Sequence, residues 1–325
     1  MKKIAVLTSG GDAPGMNACI RAVVKAGQYH GVEVFGVKDG FEGLMNGEIR
    51  RLFYDDVNNV IQQGGTFLGS ARSEAFRAKE GRAKAAHSLK VAGIDGLVVI
   101  GGDGSFKGAQ MLGAEHGISI IGIPGTIDND ILGTEYTLGF DTALNTIVEA
   151  VDKIRDTASS HQRIFFIEVM GRDAGVLALH AAIASGAEDV LIPEERTDIN
   201  EVALSLKQNN KGKRSSIVIV SEGDDAGGAL SIVDQVKPLL PEYDLRYTIL
   251  GHLQRGGRPS PKDRVVATQW GDLAVQLLVD NKTNRMVGLQ NGQLIDLPMM
   301  VEQKNVVEIA DNLRLLHRMQ TKFNC

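Results

Sequence analysis

Short runs rich in β-branched residues recur along this chain, and each leads directly into glycine or polar residues: Ile4 to Leu7, Val32 to Val37, Leu97 to Ile100, Ile118 to Ile123, Ile164 to Val169 and Ile217 to Val220. Runs of this length bounded by turn residues suit strands buried on both faces, as in a parallel sheet covered by helices. Helical patterns lie between them. The clearest runs from Thr142 to Ala158, where Leu144, Ile147, Val148, Val151 and Ile154 share one face and Glu149 can pair with Lys153. Strand alternating with helix predicts an α/β fold with mostly parallel sheets, in which ligands bind beyond the carboxyl ends of the strands.

The chain has 325 residues, enough for two domains that each bury a core. Glycine supplies 38 of them without any periodic repeat, well above the usual share of about 7 %, so the excess belongs to defined turns. The net charge of −5 and the lack of a long basic run argue against a nucleic-acid or anionic-membrane partner. Two cysteines, Cys19 in a predicted helix and Cys325 at the terminus, form neither a disulfide framework nor a metal-ligand spacing. Lys2 and Lys3 lead into only four apolar residues, too few for a secretory signal, and no stretch reaches the ~20 apolar residues of a membrane span. A cytoplasmic location is therefore expected.

Four loops carry chemistry. Thr8-Ser9-Gly10-Gly11-Asp12-Ala13-Pro14-Gly15-Met16-Asn17 closes the first strand before a helix, so backbone N–H groups can approach a phosphate there. It is neither a Walker loop nor Gly-x-Gly-x-x-Gly, and a plain strand-to-helix turn remains an alternative. Gly101-Gly102-Asp103-Gly104-Ser105 sets a carboxylate among residues able to wrap a polyphosphate. Asp103 would repel phosphate unless a cation intervened, which Mg²⁺ can do; a helix-capping role is the other reading. Pro124-Gly125-Thr126-Ile127-Asp128-Asn129-Asp130 places two carboxylates two residues apart, one able to act as base while the other orients it or a metal. An Asx turn would also explain them. Last come Arg163, Met170-Gly171-Arg172, Glu222, Arg246 and His252-Leu253-Gln254-Arg255. Arginine's planar fork matches phosphate oxygens, so these cations at strand ends suggest an anionic substrate.

In order, Thr8 to Asp12, Gly64-Gly65-Thr66 with Ser70-Ala71-Arg72, Gly101 to Ser105, Gly125 to Asp130, Met170 to Arg172, and Gly251 to Gly257 resemble the bacterial 6-phosphofructokinase family over nearly the whole chain, the resemblance weakening after about Gly288. The resemblance implies two Rossmann-like three-layer domains with mostly parallel sheets, one of residues 1–139 plus 251–304 for ATP and one of 140–250 plus 305–325 for the sugar phosphate. A closing helix is expected from Val306 to Leu316, with Ile309, Leu313 and Leu316 packed on the second domain.

It further implies that Gly11, Arg72, Ser73, Gly102, Asp103, Gly104 and Ser105 bind ATP, with Asp103 holding Mg²⁺. Asp128 would take the proton of the 1-hydroxyl of fructose 6-phosphate, with Asp130 beside it, while Thr126 and Arg172 stabilise the transferring phosphoryl group. Ile127, Met170, Gly171, Glu222, Leu253 and Gln254 would line the sugar; His252 and Arg255 would bind its 6-phosphate, joined by Arg163 and Arg246 from a neighbouring subunit of a homotetramer. Gly104 and Gly125 stand where pyrophosphate-dependent relatives carry Asp and Lys, which implies ATP as donor. Phe41 fits an aromatic flanking adenine, whereas Ser73 departs from that pattern.

A regulatory nucleotide site would use Arg21, Lys25, Arg155 and Lys213, with Glu188 as metal ligand. Lys25 in place of a common arginine, and Tyr54 in place of another, imply muted response to ADP or phosphoenolpyruvate. Three other readings are a pyrophosphate-dependent kinase, disfavoured by the two glycines; a Rossmann dehydrogenase, disfavoured by glycine spacing although Glu33 is roughly placed; and a non-catalytic sensor, disfavoured by the retention of Asp103, Asp128 and Asp130.

Overall fold

The computed structural model describes residues 1–158, 163–209, 215–299 and 307–320. In chain order the elements are β1 (Lys3–Thr8), α1 (Met16–Tyr29), β2 (Glu33–Val37), α2 (Gly40–Asn46), β3 (Ile49–Arg51), α3 (Lys79–Ala92), β4 (Gly96–Gly101), α4 (Asp103–His116), β5 (Ser119–Pro124) and α5 (Phe140–Ala158). There follow β6 (Arg163–Val169), α6 (Val176–Ser185), β7 (Asp189–Leu191), α7 (Ile199–Asn209), β8 (Ser216–Ser221), α8 (Ala229–Val236), β9 (Asp244–Ile249), α9 (Pro261–Val279), β10 (Arg285–Gln290), β11 (Gln293–Pro298) and α10 (Val307–Gln320). Every β-branched run picked out in the sequence is a strand. In α5, Ile147 and Val151 are buried, and Lys153 pairs with Glu149 at 2.6 Å.

The chain divides into two compact units: residues 1–127, 131–142 and 255–304, and residues 128–130, 143–254 and 305–325. In the first, a sheet of order β11-β10-β5-β4-β1-β2-β3 is parallel through its centre, while β3 and β11 run antiparallel to their neighbours at the two edges. Ala5, Leu7, Leu97, Val99 and Ile120 pack on one face against Leu44, Leu89, Phe106 and Leu112 from α2, α3 and α4. Strand alternation turns Ile4, Val6, Val98 and Ile121 to the other face, where α9 packs on the sheet and on α1. Three layers result.

In the second unit the order is β7-β8-β6-β9, and all four strands are parallel. Ile164, Phe166, Val218 and Val220 face Leu206, Ile232 and Val236 of α7 and α8, whereas α6 contacts β7 and β8. The α10 helix packs on α6 and buries Ile309, Leu313 and Leu316, as its apolar rhythm predicts. In both units the chemically marked loops leave the carboxyl ends of strands: β1, β4 and β5 in the first, β6, β8 and β9 in the second.

Candidate active site

In the first unit three consecutive loops are bonded to one another. Ser9 N–H donates to the Ile100 carbonyl at 3.0 Å, Gly125 N–H to the Gly101 carbonyl at 3.0 Å, and Ser105 Oγ to Ser9 Oγ at 3.0 Å. Gly102 precedes α4 in extended backbone, so Asp103 is the first helical residue. Its Oδ1 accepts the Gly104 N–H at 2.7 Å and its side chain is exposed. One outward carboxylate at a helix start suits Mg²⁺, which keeps much of its shell for phosphate and water and needs no all-protein cage. Among the described residues no three His, Cys, Asp or Glu side chains gather into such a cage. A side chain at Gly104 would enter open space, whereas a Cβ at Gly125 would meet Ile100 Cγ2 at 3.0 Å.

Arg72 is exposed, and Ser73 Oγ accepts the Phe76 N–H at 3.2 Å. Phe41, expected to flank adenine, is 5 % exposed and stacks on Phe76 with centroids 4.0 Å apart. Phe76, three residues past the departure at Ser73, was missed in the sequence; only its contact with Phe41 reveals it. Asn17, expected to end the first loop and given no role there, lies instead in the first turn of α1, which begins at Met16. Buried in α1, it donates to the Gln63 and Gly64 carbonyls at 3.3 and 3.0 Å and accepts the Phe67 N–H at 2.8 Å, which fixes the Gly64-Gly65-Thr66 loop.

Thr126, Ile127 and Asp128 are all buried, and Asp130 is half-buried. The Thr126 carbonyl accepts from Thr137 Oγ1 at 2.6 Å. Arg255 lies beside Gly11: its Nη1 donates to the Asp12 carbonyl at 3.2 Å and stands 2.6 Å from where a Gly11 Cβ would be. Arg255 therefore groups with the first loop in its unit, while His252, Leu253 and Gln254 belong to the other.

In the second unit Arg172 Nε stands 3.6 Å from Asp128 Oδ2, and Arg172 N–H donates to Glu222 Oε1 at 3.0 Å. The loops that carry them demand glycine. Gly171 has φ +143°, and a Cβ there would lie 2.4 Å from the Ala174 carbonyl oxygen; one at Gly223 would lie 1.8 Å from that of Arg172. Arg172 and Asn129 themselves adopt left-handed backbone, φ +52° and +51°, a conformation uncommon for non-glycine residues and less usual for Arg than for Asn. Gln254, expected against the sugar, is fully buried: it accepts the Met170 N–H at 3.1 Å and donates to the Gly251 carbonyl at 3.0 Å. It supports the Met170 backbone, while His252 and Leu253 next to it are exposed.

Arg163 and Arg246 are brought together by Asp244, which Arg163 Nε reaches at 2.8 Å and Arg246 Nε at 2.9 Å. The hydrogen bond from Arg163, and then that from Arg246, holds the Asp244 carboxyl below the usual carboxylate range. In-register pairing of β6 with β9, Arg163 opposite Asp244, sets this up.

Of the residues expected at an effector site, Lys25 donates to the Tyr54 hydroxyl at 3.0 Å and covers the Tyr54 ring at 4.2 Å. That bond holds the Tyr54 hydroxyl below its ordinary range. Arg21 is half-buried in the same helix. Arg155 donates to the Ser185 and Gly186 carbonyls at 2.9 and 3.2 Å and stands 3.9 Å from Glu188, which accepts the Ile217 N–H at 2.8 Å. Lys213 lies outside the described residues.

The phosphofructokinase family model matches residues 3–278. The chain is 54 % identical to an ATP-dependent 6-phosphofructokinase from Oceanobacillus iheyensis over 297 residues, 91 % of this chain and 92 % of that protein. It is 57 % identical to the ATP-dependent 6-phosphofructokinase of Staphylococcus carnosus over 296 residues, 90 % of this chain and 91 % of the other. Among solved structures, phosphofructokinase from Saccharomyces cerevisiae superposes with a TM-score of 0.86 at 37 % identity. That match covers 98 % of this chain, which spans about half of the yeast chain, 47 %.

Proposed function

The chain belongs to the phosphofructokinase family, and from that premise we propose that it transfers the γ-phosphoryl group of ATP to the 1-hydroxyl of fructose 6-phosphate, giving fructose 1,6-bisphosphate and ADP. The observation that carries this reading is the pairing of a buried carboxylate, Asp128, with the guanidinium of Arg172 at 3.6 Å. Phosphoryl transfer asks a protein for three things: positioning, neutralisation of charge on the moving group, and an acceptor for the proton of the attacking hydroxyl.

Asp128 accepts that proton, and Asp130 lies two residues on in the same loop. Arg172 and the Thr126 side chain take up charge on the transferring group. Gly11, Arg72, Ser73, Gly102, Gly104 and Ser105 receive the nucleotide, and Asp103 would hold Mg²⁺. Bound there, the ion would supply neutralisation of the charge on the nucleotide phosphates. ATP rather than pyrophosphate is the donor, a reading supported by the open space at Gly104 and by the names of the relatives above 50 % identity. At Gly125 a Cβ would meet Ile100 Cγ2 at 3.0 Å and Met16 Cε at 3.3 Å, so a larger residue there requires those two side chains to give way.

Met170, Gly171 and Glu222 bind the sugar, Ile127 and Gln254 acting through the backbone they shape, with exposed Leu253 beside them. His252 and Arg255 bind the 6-phosphate, completed by Arg163 and Arg246 of a neighbouring copy in a cytoplasmic homotetramer. Regulation by ADP or phosphoenolpyruvate through Arg21, Lys25, Arg155, Lys213 and Glu188 is muted, because Lys25 already bonds to Tyr54 and Arg155 to two carbonyls.

Replacing Asp128 by Ser tests the role of the base. Turnover should fall by about 10²- to 10⁴-fold with both substrates still bound. A variant with near-normal kcat would remove Asp128 from the mechanism.

A further inference from the structure

The chain that follows the Asp128 loop folds back on the strand end that carries it. Leu138 N–H donates to the Pro124 carbonyl at 2.9 Å, Gly125 and Leu138 form an isolated parallel bridge, and Thr137 Oγ1 donates to the Thr126 carbonyl at 2.6 Å. The position of Thr126 thus depends on where residues 137 and 138 are held.

They are held by Asp263, the third residue of α9, whose side chain is fully buried. Its Oδ1 accepts the Tyr136 hydroxyl and the Gly139 N–H, both at 2.8 Å. Its Oδ2 accepts the Thr142 N–H at 2.9 Å and the Thr142 hydroxyl as well. Ser260, the N-cap of α9, ties the same stretch again: its N–H donates to Thr142 Oγ1 at 2.9 Å and its Oγ donates to Asp141 Oδ2 at 2.6 Å. A carboxylate offers about four lone-pair sites, and here residues 136–142 occupy four. Burying a carboxyl is costly unless it is satisfied in this way. A residue serving only to cap α9 would direct its side chain to its own helix, yet every donor here comes from the segment that returns to Thr126.

We propose that Asp263 is a positioning residue for the phosphoryl transfer: through residues 136–142 and the hydrogen bond from Thr137 to Thr126, it sets where Thr126 stands. The inference rests on the reading of Thr126 as a residue that takes up charge on the transferring group. Asp263 itself touches no reacting group.

The test uses the full-length chain and four variants, Thr137→Val, Thr137→Ser, Asp263→Asn and the double variant Asp263→Asn with Thr137→Val. Steady-state kinetics with ATP and fructose 6-phosphate, Tm, and hydrogen exchange at the Leu138 amide are measured on each. Thr137→Val should lose about 10- to 100-fold in kcat, with both KM values within about twofold and Tm nearly unchanged, and Thr137→Ser should restore the rate. Asp263→Asn should lose at least as much kcat per folded molecule and speed exchange at Leu138, and the double variant should fall no further, because both changes break one path.

Wild-type kcat in Thr137→Val, or in folded Asp263→Asn, overturns the proposal, as does a double variant whose losses multiply. If Asp263→Asn does not fold, the Thr137 pair decides alone. Failure of the functional reading is seen separately, as absence of fructose 6-phosphate phosphorylation by the wild-type chain; the exchange rate at Leu138 then still reports whether Asp263 holds the segment.

Discussion

Arg172 faces Asp128 at 3.6 Å from a left-handed backbone position, with its own N–H bonded to Glu222 at 3.0 Å. One residue thus joins the carboxylate proposed as the base to the one proposed to hold the sugar. Holding a non-glycine residue there costs on the order of 1 kcal/mol, a strain the two loops maintain. Arg172→Ala should lower kcat by about 10²- to 10³-fold with a much smaller change in KM for ATP. Arg172→Lys should recover only part, because an ammonium is a point charge without the planar fork. Full activity in the lysine variant would show that only charge matters at this position.

Gly11 and Arg255 make a second coupled pair. An alanine methyl at Gly11 would fall 2.6 Å from Arg255 Nη1, and the flexible end of the arginine is what must move. Gly11→Ala should therefore fold normally yet raise KM for fructose 6-phosphate by about 3- to 10-fold, as Arg255→Ala should. The double variant should be no worse than Arg255→Ala alone. Multiplying losses in initial-rate kinetics would show that Gly11 acts independently of Arg255.

Acid stability provides a third test. Arg82, 2 % exposed, donates from Nε and Nη2 to Glu115 at 2.7 Å each and from Nη1 to the Phe76 and Arg77 carbonyls, tying the segment after Ser73 to α4. The hydrogen bond from Arg82 holds the Glu115 carboxyl below its usual range. A carboxyl depressed in the folded state stabilises fully above its unfolded pKa of about 4.3, and that contribution is lost as pH falls through the folded value. Glu115→Gln should thus lower Tm at neutral pH, with the gap to wild type closing below about pH 4. A gap that stays constant in thermal melts at both pH values would mean that the charge of Glu115 contributes nothing.

The central strands were legible because each buried parallel strand is a continuous apolar run. The edges were not. Strand β9 reads Asp-Leu-Arg-Tyr-Thr-Ile and leaves Arg246, Tyr247 and Ile249 exposed, so its sequence lacks that signature. The β10–β11 hairpin did leave a signal, the Asn291-Gly292 pair, both at positive φ between the paired Gln290 and Gln293. The site loops could be read because each is local in sequence. Asn17, Phe76, Asp244 and Asp263 could not be: each acts on residues that only folding brings near, and no local pattern marks an Asn in a helix or an Asp in its first turn as more than ordinary.

The most direct measurement is the initial rate of fructose 1,6-bisphosphate formation by the purified chain with fructose 6-phosphate and Mg²⁺, supplied with either ATP or pyrophosphate. Product is expected with ATP and none with pyrophosphate. Product with pyrophosphate alone would contradict the assignment of donor from Gly104 and Gly125, and no product with either would contradict the assignment of Asp128 as the acceptor of a sugar-hydroxyl proton.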